Sequence, residues 1–187
     1  MPTDSTLYYS DYIELEAILN SQHPRSFESV EQGNDEMLFI IIHQAYELWF
    51  KQILFELDQV RRIFIQDRIN DNSPDMSEVV HKLKRIVKIL ELLNQQVSVL
   101  ETMTALDFLA FRDVLVPASG FQSKQFRLIE ARLGLKMDQR FGTEYYKHSR
   151  RGGLSEADQA EVTQVEGEPT LKELIVRWLE QMPFFEE

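Results

Sequence analysis

The sequence predicts an all-α fold, a helical bundle built on long central helices. Three observations carry that prediction. The run Met37 to Ile42 is apolar on every face and continues without a turn signal to Arg62. Val79, Leu83, Ile86, Leu90, Leu93, Val97 and Leu100 alternate spacings of four and three, a heptad seam over about three heptads. Helix punctuation recurs, with Ser or Thr three residues before an acid or amide, and Pro or Gly where apolar stretches end.

A first short helix is expected over Tyr9 to Asn20, with Tyr12, Ile13, Leu15, Ile18 and Leu19 near helical spacing. Gln22-His23-Pro24 ends it and leaves His23 in a loop. The second helix starts at Asn34 or Asp35, where Asn, Asp and Glu suit the free N–H groups, and runs to Gln66. Being apolar all round at its start, it belongs in the centre of a bundle. Asn70 to Pro74 is a loop. The heptad seam forms the third helix, read as a bundle helix rather than a dedicated coiled-coil dimer, with His81 solvated beside Lys82 and Lys84. Thr104 and Asp107 form a capping box for a fourth helix, Ala105 to Leu115, stopped by Pro117. Ser119 and Gln122 are a second box, opening a helix that ends at Gly134. The stretch 141–170 reads as an irregular insert with a short helix at Ser155 to Val162. A last amphipathic helix, Leu171 to Gln181, presents Leu171, Leu174, Ile175 and Trp178 on one face.

The 187 residues suit one domain, 1–187. With 43% hydrophobic and 27% charged residues the chain is too apolar for disorder. It has no cysteine, which excludes disulfides, zinc–thiolate sites, iron–sulfur clusters and Cys nucleophiles. The net charge of −11 argues against nucleic acid as a partner. The longest uncharged apolar-rich run, Met37 to Tyr46, spans ten residues, about half of what a bilayer needs. Met1 to Ser5 lacks the basic start of a signal peptide, so a cytoplasmic, membrane-free protein is expected.

His43 is the first chemical candidate. It shares a helix face with Phe39, Tyr46 and Phe50. A neutral imidazole there suits a base, an acceptor for a ligand N–H, a metal ligand, or a satisfied core histidine. Arg112 shares a face with Phe108 and Leu115. Its fork needs a partner, either a ligand carboxylate or an internal acid such as Glu101, Asp107 or Asp113. Ser119-Gly120 offers a hydroxyl and backbone N–H groups to a ligand, or is a simple cap. Glu47 and Lys51 read as a structural i,i+4 pair. No phosphate-binding glycine loop, nucleophile elbow or metal-spaced cluster is present in the sequence.

Together these runs resemble a family. Asp35 to Gln44 with Glu47 to Lys51, then Val99 to Thr104, then Phe111-Arg112-Asp113 with Pro117 to Ser123 and Gln125 to Arg127, are similar to signatures of heme-dependent tryptophan 2,3-dioxygenases. Tyr9-Ser10-Asp11-Tyr12 matches near the start, and Leu171 to Phe185 is a weaker echo. The resemblance implies an all-helical homotetramer that binds heme b. It implies cleavage of the indole C2–C3 bond of L-tryptophan by O2, giving N-formylkynurenine. On the matching positions, His43 accepts the indole N–H and Arg112 grips the substrate carboxylate. Phe39, Phe108 and Leu115 line the indole pocket, and Ser119 lies near the heme edge or substrate. Tyr9 and Tyr12 reach into a neighbouring subunit's site. Many members carry Tyr where Phe108 stands, so no hydroxyl contact carries over there.

The resemblance also implies a proximal heme histidine on a helix beyond the matched region. His23, His81 and His148 are not in that context. No metal ligand is therefore assigned in this chain. The expectation is a chain that lacks that helix, through truncation, division into two polypeptides or loss of heme. The alternative function is a non-catalytic helical module that keeps the substrate-pocket scaffold.

Overall fold

The computed structural model describes residues 6–28, 33–66, 69–142 and 153–182. Among these the secondary structure is helical, with no strand. Two short helices, α1 (Tyr9–Tyr12) and α2 (Leu15–Leu19), precede the long α3 (Glu36–Phe64) and α4 (Pro74–Leu100). Then come α5 (Ala105–Leu115), α6 (Lys124–Leu133), α7 (Glu156–Glu166) and α8 (Leu171–Glu180). No helix among the described residues is long and apolar enough to cross a membrane.

The bundle is organised around α3, which packs against α4, α6 and α8. Ile53, Leu57 and Val60, spaced four and three along α3, are completely buried. They meet Val79, Ile86, Ile89 and Leu93 from α4, Ile129 from α6, and Leu171 and Leu174 from α8. Fully burying side chains of this size contributes about 1.5–3 kcal/mol each. A smaller cluster joins Leu128 and Ala131 of α6 to Leu154, Val162 and Val165 around α7. Arg61 ties the α7–α8 connection to α3 through Glu168 at 2.9 Å and the Pro169 carbonyl at 3.1 Å.

The expected third-helix seam differs in one stripe. Val79, Ile86 and Leu93 are buried as the heptad requires, and Leu83 packs half-buried against the core, but Lys82 and Ile89 are buried as well while Leu90 is exposed. Leu90 and Val97 are 40% and 42% exposed. A straight helix drifts about 20° per heptad from a 3.5-residue repeat. Burial also follows the ionic partner, because Glu56 on α3 draws Lys82 inward.

The expected helix over Tyr9 to Asn20 is two helices. Glu14 sits in the left-handed region at φ 53° and breaks it. Neither piece buries a residue. Helices this short are marginal without packing. The helix expected to open at Ser119 begins later, at Lys124, with Ser123 as its cap. Ser119 and Gln122 do form a capping box, but it closes a single turn, Gly120–Gln122. The stretch expected as an irregular insert contains α7, which runs four residues past the anticipated end at Val162 and packs on α6. Ser155 caps it by accepting from the Asp158 N–H. The caps at Thr104, Thr170 and Gly134 are as the local signals indicate.

Candidate functional site

Two turns into α3, Phe39 and His43 point the same way, four residues apart. Their ring centroids are 4.1 Å apart. His43 Nδ1 lies 2.7 Å from the Phe39 carbonyl. A carbonyl only accepts, so Nδ1 carries the proton in the neutral ring and Nε2 is left as an acceptor. No hydrogen bond engages Nε2 among the described residues. Gly120 lies opposite, where an added Cβ would sit in van der Waals contact with Nε2 at 3.8 Å, so the absence of a side chain there leaves that side of the nitrogen uncovered.

The two residues line a cavity of about 450 Å³. Leu115, Ala118 and Ser119, from the end of α5 and the turn after it, form a second wall. His23 and Arg25, from the segment that precedes α3, complete it. Ser119 Oγ accepts from the Phe121 N–H at 3.3 Å, which leaves its own proton available to donate. Two larger hollows, of about 730 and 700 Å³, lie beside α6 and α8 and between α3 and α4. Neither contains a histidine.

Phe108 and Arg112 flank this cavity rather than line it. The Phe108 ring lies tilted against Phe39 at 5.8 Å and meets Phe111 edge-to-face at 5.5 Å, so the cluster continues from α3 into α5. The Arg112 guanidinium stands 5.9 Å from the Phe108 ring. No carboxylate among the described residues pairs with it. Of the internal acids considered for it, Asp107 instead closes the Thr104 cap. Tyr9 and Tyr12 lie on α1, 73% and 74% exposed, and do not line the cavity. Glu47 does not pair with Lys51. Its carboxylate accepts from the Gln125 amide at 2.8 Å and joins α3 to α6.

Sequence reasoning missed Glu36, read there only as part of the helix start. Its carboxylate is fully buried. It accepts from the Arg25 and Ser26 N–H groups, each at 2.8 Å, and from the Ser26 hydroxyl. Burial pushes this carboxyl up. The Ser26 and Arg25 hydrogen bonds and the Arg25 charge outweigh that and hold it below the usual carboxylate range. Ser26 Oγ in turn accepts from the Gly33 N–H at 3.0 Å. A Cβ on Gly33 would come within 2.8 Å of Phe111 Cβ. Gly33→Ala is therefore expected to cost about 1–3 kcal/mol of overpacking, read as a lowered urea midpoint. The missed signal is that Glu36, Phe39 and His43 share one helix face, which makes Glu36 a wall residue as well as a terminal one.

The signature of tryptophan 2,3-dioxygenases matches residues 2–187. The chain belongs to that family. It is 48% identical over 183 residues to the tryptophan 2,3-dioxygenase of Bdellovibrio bacteriovorus, covering 96% of this chain and 49% of the relative. The Xenopus laevis enzyme of the same name is 48% identical over 183 residues, with 97% and 44% covered. That of Dictyostelium discoideum is 43% identical over 182 residues, with 95% and 44% covered. The chain spans about half the length of the curated relatives it matches. Within the dioxygenase family frame, the described residues contain no cluster of three His, Cys, Asp or Glu able to hold a metal ion.

Proposed function

We propose that this chain supplies the substrate-facing wall of a heme dioxygenase that cleaves the indole C2–C3 bond of L-tryptophan with O2 to N-formylkynurenine. One observation carries the reading. An imidazole nitrogen and a guanidinium, neither with a hydrogen-bond or ion-pair partner among the described residues, stand on either side of one aromatic cluster. L-tryptophan has a ring N–H for the first and a carboxylate for the second.

In this reading His43 Nε2 accepts the indole N–H and orients the ring, with the Phe39 carbonyl holding the imidazole in the required tautomer. Phe39 and Leu115 supply apolar walls, with Phe108 backing Phe39 from α5. The Arg112 fork takes the carboxylate in a paired, charge-assisted contact. Ser119 donates its free hydroxyl proton at the cavity edge. Heme b, when bound, supplies the activation of O2.

The donor set fits one face of a heme pocket. The apolar side chains of Phe39, Ile40, Leu115 and Ala118 around the open His43 nitrogen suit the substrate side. No axial donor is assigned among the described residues. His23 is exposed. His81 is exposed with Nε2 2.9 Å from Arg85. His148 lies outside the described residues. A histidine tethered through Nδ1 also resembles a metal ligand. What favours the acceptor role is the likeness of the Asp35–Lys51 run to the segment that carries this role in the family.

The same reading includes a cytoplasmic homotetramer, with Tyr9 and Tyr12 completing a neighbour's site. Leu106, Leu109 and Val116, exposed by 78%, 61% and 63%, support burial against further copies.

The test adds one equivalent of hemin to the purified chain, with free imidazole as the outside axial ligand. A Soret band distinct from that of free hemin–imidazole is expected, and it should shift on adding L-tryptophan. His43→Ala is expected to keep the band and lose the shift. Loss of the band itself would make His43 an iron ligand. Tryptophan binding with no heme band would leave the non-catalytic module as the function.

A further inference from the structure

We infer that Glu36 is a positioning residue for the His43 cavity, acting by latching residues 21–28 as a strap across its open side. The strap has two ties to α3. At one end Glu36 accepts the Arg25 and Ser26 N–H groups at 2.8 Å each. At the other, the Gln22 amide donates to Gln44 Oε1 at 2.6 Å, and the Gln44 amide donates to the Ser21 carbonyl at 3.1 Å. His23 lies between the ties and Arg25 sits at the Glu36 end; these are the two strap residues that line the cavity. Both are exposed, so the ties rather than burial hold them in place.

The latch also reaches the aromatic wall. Glu36 bonds the Ser26 hydroxyl, whose oxygen accepts from the Gly33 N–H. Gly33 packs on Phe111, whose ring is 5.6 Å from Phe39, and Phe39 stacks on His43. Glu36, Ser26 and Phe111 are all essentially buried, so this chain of contacts has little room to relax. A carboxylate is required because one group accepts three donors. The amide of Gln has a single acceptor oxygen, and its NH2 would confront an N–H.

The role of the cavity as a tryptophan site rests on the function proposed above, and the experiment separates the two. In Glu36→Gln, tryptic cleavage at Arg25–Ser26 is expected to accelerate about tenfold, as for loss of a charged hydrogen bond. The digestion is run below the melting transition, so it reads strap opening. The ¹⁵N signals of the His43 imidazole are expected to move, and L-tryptophan affinity to fall about tenfold. Gln22→Ala, which removes one of the two bonds of the other tie without disturbing a buried group, should act in the same direction, more weakly. It keeps the test decisive if Glu36→Gln fails to fold. Unchanged cleavage and unchanged His43 signals in the folded variants would overturn the latch. If the unmodified chain does not bind tryptophan, the functional reading fails while cleavage and His43 signals still decide the latch.

Discussion

Glu56→Ala is expected to lower stability by about 3–5 kcal/mol, the typical cost of removing one partner from a buried ion pair. Glu56 is 1% exposed at the α3–α4 contact. It accepts from Lys82 at 3.2 Å, from Gln52 at 2.8 Å and from Arg85. Arg85 is 45% exposed and can turn to water, but the Lys82 side chain is only 10% exposed. Alanine would leave that ammonium in the core with Gln59 and the outlying Glu78. Equilibrium urea unfolding of the two chains measures the difference. In the double variant Glu56→Leu with Lys82→Met the loss should be largely recovered, because no charge remains to be desolvated. A pH dependence follows. Burial raises the Glu56 carboxyl, and the Arg85 and Lys82 contacts more than offset it, so its folded value lies below the ordinary one. The contribution is therefore present above the unfolded value, about 4.3. It is lost as pH falls through the depressed folded value. Glu36 has the same sign, so acid should weaken the core contact and the strap together.

Arg112→Ala is expected to weaken tryptophan binding by about 2 kcal/mol, the low end for truncating a charge-paired contact, because the side chain is only half-buried. That is roughly thirtyfold in affinity, measurable by titration calorimetry. Tryptamine, which has the indole but no carboxylate, should bind the variant and the unmodified chain alike. Equal losses for both ligands would make Arg112 a packing residue and end its assignment as the carboxylate clamp. Arg112→Lys should fall between, since it keeps the charge and loses the fork.

Long helices and their caps were legible in the sequence because their signals are local. The expected span of Asn34 or Asp35 to Gln66 and the observed Glu36–Phe64 differ only at frayed ends. Ala105–Leu115 is bounded by Thr104 and Pro117, both readable within one turn. What sequence could not settle depends on partners far along the chain. Lys82 is buried because Glu56 lies across the α3–α4 contact, and no heptad count contains that information. Glu36 looks like a helix-start residue until Arg25 and Ser26 fold back onto it. At Arg112 the spacing allowed either an internal acid or a ligand, and only the occupied Thr104 cap removed Asp107. His43 was identifiable by its face, whereas its tautomer required the carbonyl distance.

The site is divided between elements of very different anchoring. His43 and Phe39 belong to α3, which buries Ile53, Leu57 and Val60 completely and Ile42, Phe50, Ile63 and Phe64 nearly so. Phe108, Arg112 and Leu115 belong to α5, where Phe111 is the sole buried residue. The backbone of α5 should therefore open as a cooperative unit of its own, at lower free energy than the bundle. Its amides should exchange with deuterium well before those of α3. A ligand that bridges the two halves would protect α5 selectively. Affinity for that ligand would then be set partly by how often α5 is closed, which a residue such as Phe111 controls without touching the ligand.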